Sequence, residues 1–270
     1  MLLKRIITAV VVLPGIIFLI LKNNTLGFSI AIAVVSVIAL YEYLEIIALT
    51  CSGIISKKLK GTSYLVGIAM AIGVWYGSMS GILISLGLNI FLLGFVVLID
   101  FSKDDYIFDS ISKQIFGIVY IPFLLSLLIL IYAFDNGYLW VLWLLFVTFA
   151  NDTGSYYAGT NFGKRHLAPN ISPKKTYMGS IGGVVSSVLV GFLLCYLFFH
   201  NLEKAFMVIP CSVLIAVAGQ VGDLFASALK RAAGVKDSGI ILPGHGGMLD
   251  RIDGLLFSIP VLYVLRVFIL

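Results

Sequence analysis

Between Ser227 and Asp253 the chain reads S-A-L-K-R-A-A-G-V-K-D-S-G-I-I-L-P-G-H-G-G-M-L-D-R-I-D, and seven of these 27 residues are charged in a chain that is 11% charged overall. Lys230, Arg231, Lys236 and Arg251 are cations suited to phosphate oxygens, Asp250 and Asp253 are hard oxygen ligands of the kind a divalent cation takes, and Asp237 is the seventh charge. Gly244, Gly246 and Gly247 flank His245 and permit close backbone approach, which suits a loop laid against phosphates. Asp250 and Asp253 stand three residues apart before an apolar run, so helix capping is a second use for them. The tract has the chemistry of a phosphate and metal site.

Two polar stripes run toward it at helical spacing. Gln220, Asp223, Ser227 and Lys230 recur at i, i+3, i+7 and i+10 and share one helix face, with Arg231 adjoining. Asp223 then lies about 10 Å from Lys230 along the axis. At that depth in a bilayer an unpaired carboxylate costs about 2.5–3.5 kcal/mol, so it requires a partner or a wet cavity. Thr148, Asp152, Ser155 and Gly159 form the second stripe, and the two acids suggest one shared cavity. A buried ion pair that only specifies helix packing is the other reading of Asp152 and Asp223.

A further basic stretch runs from Gly163-Lys164-Arg165 to Ser172-Pro173-Lys174-Lys175-Thr176-Tyr177. Lys164 and Arg165 suit either a substrate or ordinary membrane-surface charge. Ser172, Lys174, Lys175 and Thr176 are more specific, because Pro173 restrains the turn that presents them to an incoming anion.

The elements that must position these residues are membrane helices. The 270 residues are 60% hydrophobic with mean hydropathy +1.09, and apolar stretches occur at about 6–21, 26–49, 62–77, 80–99, 115–134, 138–160, 179–199, 205–229 and 252–270. An all-α integral membrane protein follows, a polytopic bundle of about nine transmembrane helices. Gly77-Ser78-Met79-Ser80-Gly81 is the turn within the third and fourth stretches. With the N-terminus cytoplasmic and the C-terminus outside, 15 of the 18 Lys and Arg fall inside. The basic balance is then explained by the lipid bilayer, with no nucleic acid partner. The first stretch lacks a cleavage pattern and reads as an uncleaved span. Cys51, Cys195 and Cys211 lack ligand spacing and read as buried apolar side chains. Residues 1–134 form a scaffold of about five spans, and residues 135–270 carry the chemistry.

The signature Ser-x-apolar-Lys-Arg, four residues, Lys-Asp, then Pro-x-His-Gly-Gly-x-x-Asp-Arg-x-Asp is met by Ser227, Leu229, Lys230, Arg231, Lys236, Asp237, Pro243, His245, Gly246, Gly247, Asp250, Arg251 and Asp253. Over about residues 140–260 the chain resembles the phosphatidate cytidylyltransferases, or CDP-diacylglycerol synthases. Asp152-Thr153-Gly154, Ser172 to Thr176 and Gly219-Gln220-Val221-Gly222-Asp223 also look like family motifs. Met178 stands where such sequences usually carry an acid.

The resemblance implies transfer of the cytidylyl group of CTP to phosphatidate, with release of pyrophosphate. It implies Mg²⁺, with room for a second cation, held by Asp223 and Asp250 first and by Asp253 and Asp152 next. Lys230, Arg231 and Arg251 would act on the reacting phosphates, and His245 would either donate to the leaving group or brace its loop. Ser172, Lys174, Lys175, Thr176, Ser227, Lys236, Asp237, Gly246 and Gly247 would line the substrates. The expected location is the plasma (inner) membrane with the site facing the cytoplasm, and a homodimer is the expected assembly. The rivals are a CTP-dependent polyprenol-type lipid kinase, a CDP-alcohol phosphotransferase and an ion-coupled transporter. The phosphotransferase motif is broken, since Phe257-Ser258 replaces the Ala-Arg it needs. A transporter would place its acids near the midplane without long glycine-rich loops.

Overall fold

The computed structural model describes residues 14–50, 55–101, 106–239, 241 and 246–269. These residues are helical apart from short connections and one two-stranded ribbon. Five helical stretches among them are long and apolar enough to cross a membrane: Thr25–Ala48, Met79–Asp100, Ile107–Ala133, Tyr177–Phe199 and Leu202–Ala232. The other expected stretches are helical as well, over 14–21, Lys57–Gly77, Gly137–Phe162 and Leu249–Phe268. Each of the last three carries polar residues at one end: Lys57, Lys58 and Lys60, Asn151 to Phe162, and Asp250, Arg251 and Asp253. The chain divides into two compact units, residues 1–133 with 232–251, and residues 134–231 with 252–270.

The first unit holds α1 (Thr25–Ala48), α2 (Lys57–Gly77), α3 (Met79–Asp100), α4 (Ile107–Ile118) and α5 (Leu124–Ala133). Asn24 and Ser56 cap α1 and α2, accepting from the amides of Gly27 and Leu59 at 3.0 and 3.2 Å. The reversal between α2 and α3 falls in the expected turn, with Ser78 at φ 53°. A β-carbon on Gly81 would overlap the Gly73 carbonyl, so glycine is what lets these two backbones touch. Between α4 and α5 a π turn covers Val119–Phe123. Pro122 supplies no amide, and the wider turn carries the helix past that gap. The core is mainly aliphatic with a few internal polar bonds: Tyr43 donates to the Lys113 carbonyl at 2.9 Å, and buried Gln114 donates to buried Asn89 at 2.9 Å.

The second unit is built on α6 (Gly137–Phe162), β1 (His166–Ala168), β2 (Ser172–Thr176), α7 (Tyr177–Phe199), α8 (Leu202–Ala232) and the part of α9 (Leu249–Phe268) from Ile252 onward. Small residues let α6 and α7 pack backbone to backbone. A β-carbon on Gly154 would overlap Ser186, and one on Gly182 would overlap Ala158. Trp143 donates its indole N–H to the Gly191 carbonyl at 2.8 Å, and Ser187 donates to the Val147 carbonyl at 3.0 Å. These bonds satisfy polar groups inside an apolar contact. The segment between α6 and α7 contains the ribbon, antiparallel with His166 opposite Thr176 and Ala168 opposite Ser172. At 31 residues α8 is about 46 Å long, more than the roughly 30 Å a hydrocarbon core requires. Its last turn carries Lys230 and Arg231, cations placed favourably for the helix dipole.

Candidate active site

A cavity of about 600 Å³ opens in the second unit. Asp152, Ser155, Tyr156 and Gly159 of α6 form one wall, and His166 and Leu167 of β1 with Pro173 to Thr176 of β2 form another. Gly179 and Ser180 of α7 and Gln220 and Asp223 of α8 complete it. The two acid-bearing helix faces therefore converge on one cavity. Lys175 enters from the ribbon, and its Nζ lies 2.5 Å from Asp223 Oδ2. Ser227 Oγ stands 3.5 Å from the other Asp223 oxygen, a long donor contact one turn away. The intramembrane carboxylate that required a partner has a cation.

The cavity is anchored by an amide network. Gln220 Nε2 donates to Asn151 Oδ1 at 2.9 Å and to the Ser180 carbonyl at 3.0 Å, while its Oε1 accepts from Ser180 Oγ. Asn151, 3% exposed, in turn donates to the Ala216 carbonyl at 3.3 Å. Gln220 thus ties α8 to α6 and α7 and holds Asp223, one turn on, at the cavity wall. Sequence reasoning missed Asn151, Tyr156, Ser180 and His166. An Asn directly before Asp152 in an apolar run was the one available signal.

The glycines of Gly219-Gln220-Val221-Gly222-Asp223 act by close approach. A β-carbon on Gly222 would stand 2.6 Å from the Asp253 carbonyl oxygen, and one on Gly254 would stand 3.2 Å from that of Gly219. This contact brings α9 against α8 so that Asp253 feels the charges of Asp223 and Asp152, which repel it, and of Lys230, which attracts it. Asp253 Oδ1 accepts its own helix's Gly254 amide at 2.8 Å. No group of three or more His, Cys, Asp or Glu side chains among the described residues closes into a metal cage.

The ribbon is fastened on both sides. Thr176 caps α7 by accepting the Gly179 amide at 3.1 Å, and the Tyr177 amide donates to the Arg165 carbonyl at 3.1 Å. Arg231 Nε donates to the Ile171 carbonyl at 3.4 Å, joining the end of α8 to the ribbon turn. Ser172 opens β2, Lys174 is exposed beside the cavity, and Met178 is exposed on the first turn of α7.

The remaining signature residues lie in the first unit. Lys236, Asp237 and Arg251 are exposed. Asp250 Oδ2 accepts the amides of Ser238 and Gly247 at 2.9 and 3.1 Å, both in the loop before α9, so it braces that loop and does not cap the first turn. Gly246 has φ +82°, a left-handed conformation that favours glycine. His245 lies outside the described residues. Sequence reasoning also missed Glu42 of α1, which reaches this loop. An acid inside the apolar stretch 26–49 was the signal that could have found it.

Fold and cavity together define a helical integral membrane protein with a polar pocket where cations and carboxylates meet at helix ends. Residues 3–269 match the model of the Cytidylyltransferase family, and the chain belongs to that family. It is similar to proteins named phosphatidate cytidylyltransferase. The one from Bacillus subtilis is 33% identical over 275 residues, covering 97% of this chain and 96% of the relative. The one from Thermotoga maritima is 39% identical over 180 residues, 65% of this chain and 66% of the relative, and that from Staphylococcus haemolyticus is 34% identical over 182 residues, 67% and 68%.

Proposed function

We propose that this protein transfers the cytidylyl group of CTP to phosphatidate, forming CDP-diacylglycerol and pyrophosphate. The observation that carries the reading is the cavity in which Lys174 and Lys175 face Asp152 and Asp223. Its volume is that of a small-molecule site. The names of the relatives supply the substrate pair.

A phosphate monoester has a second pKa near ~6, so the lipid phosphate is largely ionised at neutral pH and is itself the nucleophile. One of its oxygens forms a bond to the α-phosphorus of CTP as the bond to the β-phosphate oxygen breaks, and pyrophosphate leaves with that electron pair. Two anions must approach one another, so positioning and charge neutralisation dominate catalysis. Lys175, already at the carboxylate of Asp223, is placed to meet a phosphate oxygen without crossing the cavity. Lys174 draws an anion in from the exposed side, and Lys230 and Arg231 add positive charge at the end of α8. Lys236, Asp237, Asp250 and Arg251 act through the loop that precedes α9, with Gly246 and Gly247 setting its path.

Asp223, Asp253 and Asp152 fit Mg²⁺. They are hard oxygen donors, the charges of Asp223 and Asp152 both bear on Asp253, and this ion takes only one or two protein carboxylates, leaving its other positions to water and phosphate. Bound there, Mg²⁺ supplies neutralisation of the charge that develops on the phosphate oxygens.

The bundle is proposed to cross the plasma membrane nine times with the N-terminus in the cytoplasm, supported by nine helical stretches among the described residues and by 15 of 18 Lys and Arg falling inside. The cavity then opens to the cytosol, where CTP is. Purified protein incubated with CTP, phosphatidate and Mg²⁺ should yield a lipid with the mass of CDP-diacylglycerol. Absence of that product under conditions where the protein stays folded would end this reading.

A further inference from the structure

Glu42 is 1% exposed and lies on α1, about two hundred residues before the signature tract. Its carboxylate accepts three hydrogen bonds, all at 2.9 Å: Oε1 from the Met248 amide, and Oε2 from the Leu249 amide and the Ser238 hydroxyl. Leu249 is the first residue of α9. Amides at a helix start have no partner within the helix and carry the positive end of its dipole, so an acid from elsewhere in the chain satisfies both needs at once. Ser238 is held twice, its hydroxyl by Glu42 and its amide by Asp250.

The backbone closes around this carboxylate. A β-carbon on Gly239 would stand 2.7 Å from Glu42 Oε1, and one on Gly247 would overlap both Ser238 Oγ and Glu42 Oε2. Gly247, which reads from sequence as allowing close approach to phosphates, thus also makes room for an acid, as does Gly239. The segment that runs between Ser238 and Leu249 has its two ends pinned to one point, and Lys236, Asp237, Asp250 and Arg251 flank that point.

We infer that Glu42 is a positioning residue for the reaction: it fixes the start of α9 and both ends of the signature loop, and touches no substrate. The inference rests on the proposed function for what the loop does, but not for the clamp itself. Glutamine has the same shape but only one acceptor oxygen, and its NH₂ would face an amide donor. Aspartate keeps the charge on an arm one methylene shorter.

The test uses the full-length protein in detergent, with Glu42→Gln, Glu42→Asp and Ser238→Ala. Two quantities are read: amide exchange of the peptides covering 246–251 against those of α2 and α3, and kcat and KM for CTP with phosphatidate. Glu42→Gln should speed exchange at 246–251 at least tenfold while α2 and α3 stay as protected as before, and should lower kcat at least tenfold with KM for CTP within threefold. Glu42→Asp should recover part of both. If Glu42→Gln does not fold, Ser238→Ala decides, with an expected threefold or larger rise in exchange at 246–251 and a matching fall in kcat. Unchanged exchange, or faster exchange with a wild-type kcat, overturns the inference. Wild-type protein without CTP and phosphatidate turnover removes the proposed function instead, and the inferred catalytic role falls with it, whatever the exchange arm shows of the clamp.

Discussion

Lys175 and Asp223 meet at 2.5 Å on the wall of the cavity in the second unit, one carried on a β-ribbon and the other on a membrane helix. Neither element alone explains the pair. The ribbon is held to α7 through Thr176 and to α8 through Arg231, so the lysine arrives at a defined height on the cavity wall.

Asp223→Asn should therefore lower turnover at least ~10²-fold with the fold intact, since the neutral amide removes transition-state charge stabilisation worth several kcal/mol. Lys175→Met should lower it at least ~10-fold. The check is steady-state kinetics beside a thermal unfolding curve for each variant. Near-normal turnover in Asp223→Asn would assign the pair to helix packing alone.

Gln220→Leu should cost stability as well as activity. It deletes the partner of Asn151 and Ser180 inside α6 and α7, and a buried polar group left unmatched costs about 1–3 kcal/mol. Unfolding in detergent measures this, and Gln220→Glu, which sets a carboxylate oxygen against the Asn151 and Ser180 oxygens, should cost at least as much.

Much of this was legible in the residues. Apolar runs long enough to span a bilayer mark the helices, and the reversal at Ser78 is written in its glycine and serine neighbours. The i, i+3, i+7 spacing of Gln220, Asp223 and Ser227 puts them on one face, and two of them line the cavity. The ribbon was not legible, because Pro173 and three-residue β1 give no alternation of apolar and polar residues over a useful length. Partners such as Asn151 with Gln220 and Glu42 with Ser238 are 69 and 196 residues apart, and no local pattern announces a contact that only packing creates.

Gly222→Ala should impair the protein more than an alanine in a helix usually does. Its β-carbon would stand 2.6 Å from the Asp253 carbonyl oxygen, so α8 and α9 must separate or bend, at about 1–3 kcal/mol. Turnover should fall with stability, because Asp253 moves away from Asp223. Gly87→Ala on α3, where a β-carbon meets nothing within 4 Å, is the control and should be neutral.

Topology is tested with single cysteines in a background where Cys51, Cys195 and Cys211 are serine. Lys58→Cys, Lys113→Cys, Asn170→Cys and Lys236→Cys should react with an impermeant thiol reagent only from the cytosolic side, as the distribution of Lys and Arg requires. Labelling from outside at any of them would invert the proposed arrangement around that loop.

The central claim concerns which phosphorus of CTP is attacked, and the position of a radioactive label answers it most directly. With phosphatidate and Mg²⁺ present, α-³²P should appear in the chloroform-soluble product and γ-³²P in pyrophosphate, and a chelator should abolish both. Recovery of γ-³²P in lipid with release of CDP, or transfer that needs an alcohol lipid in place of phosphatidate, would contradict the account and mark the protein as a lipid kinase.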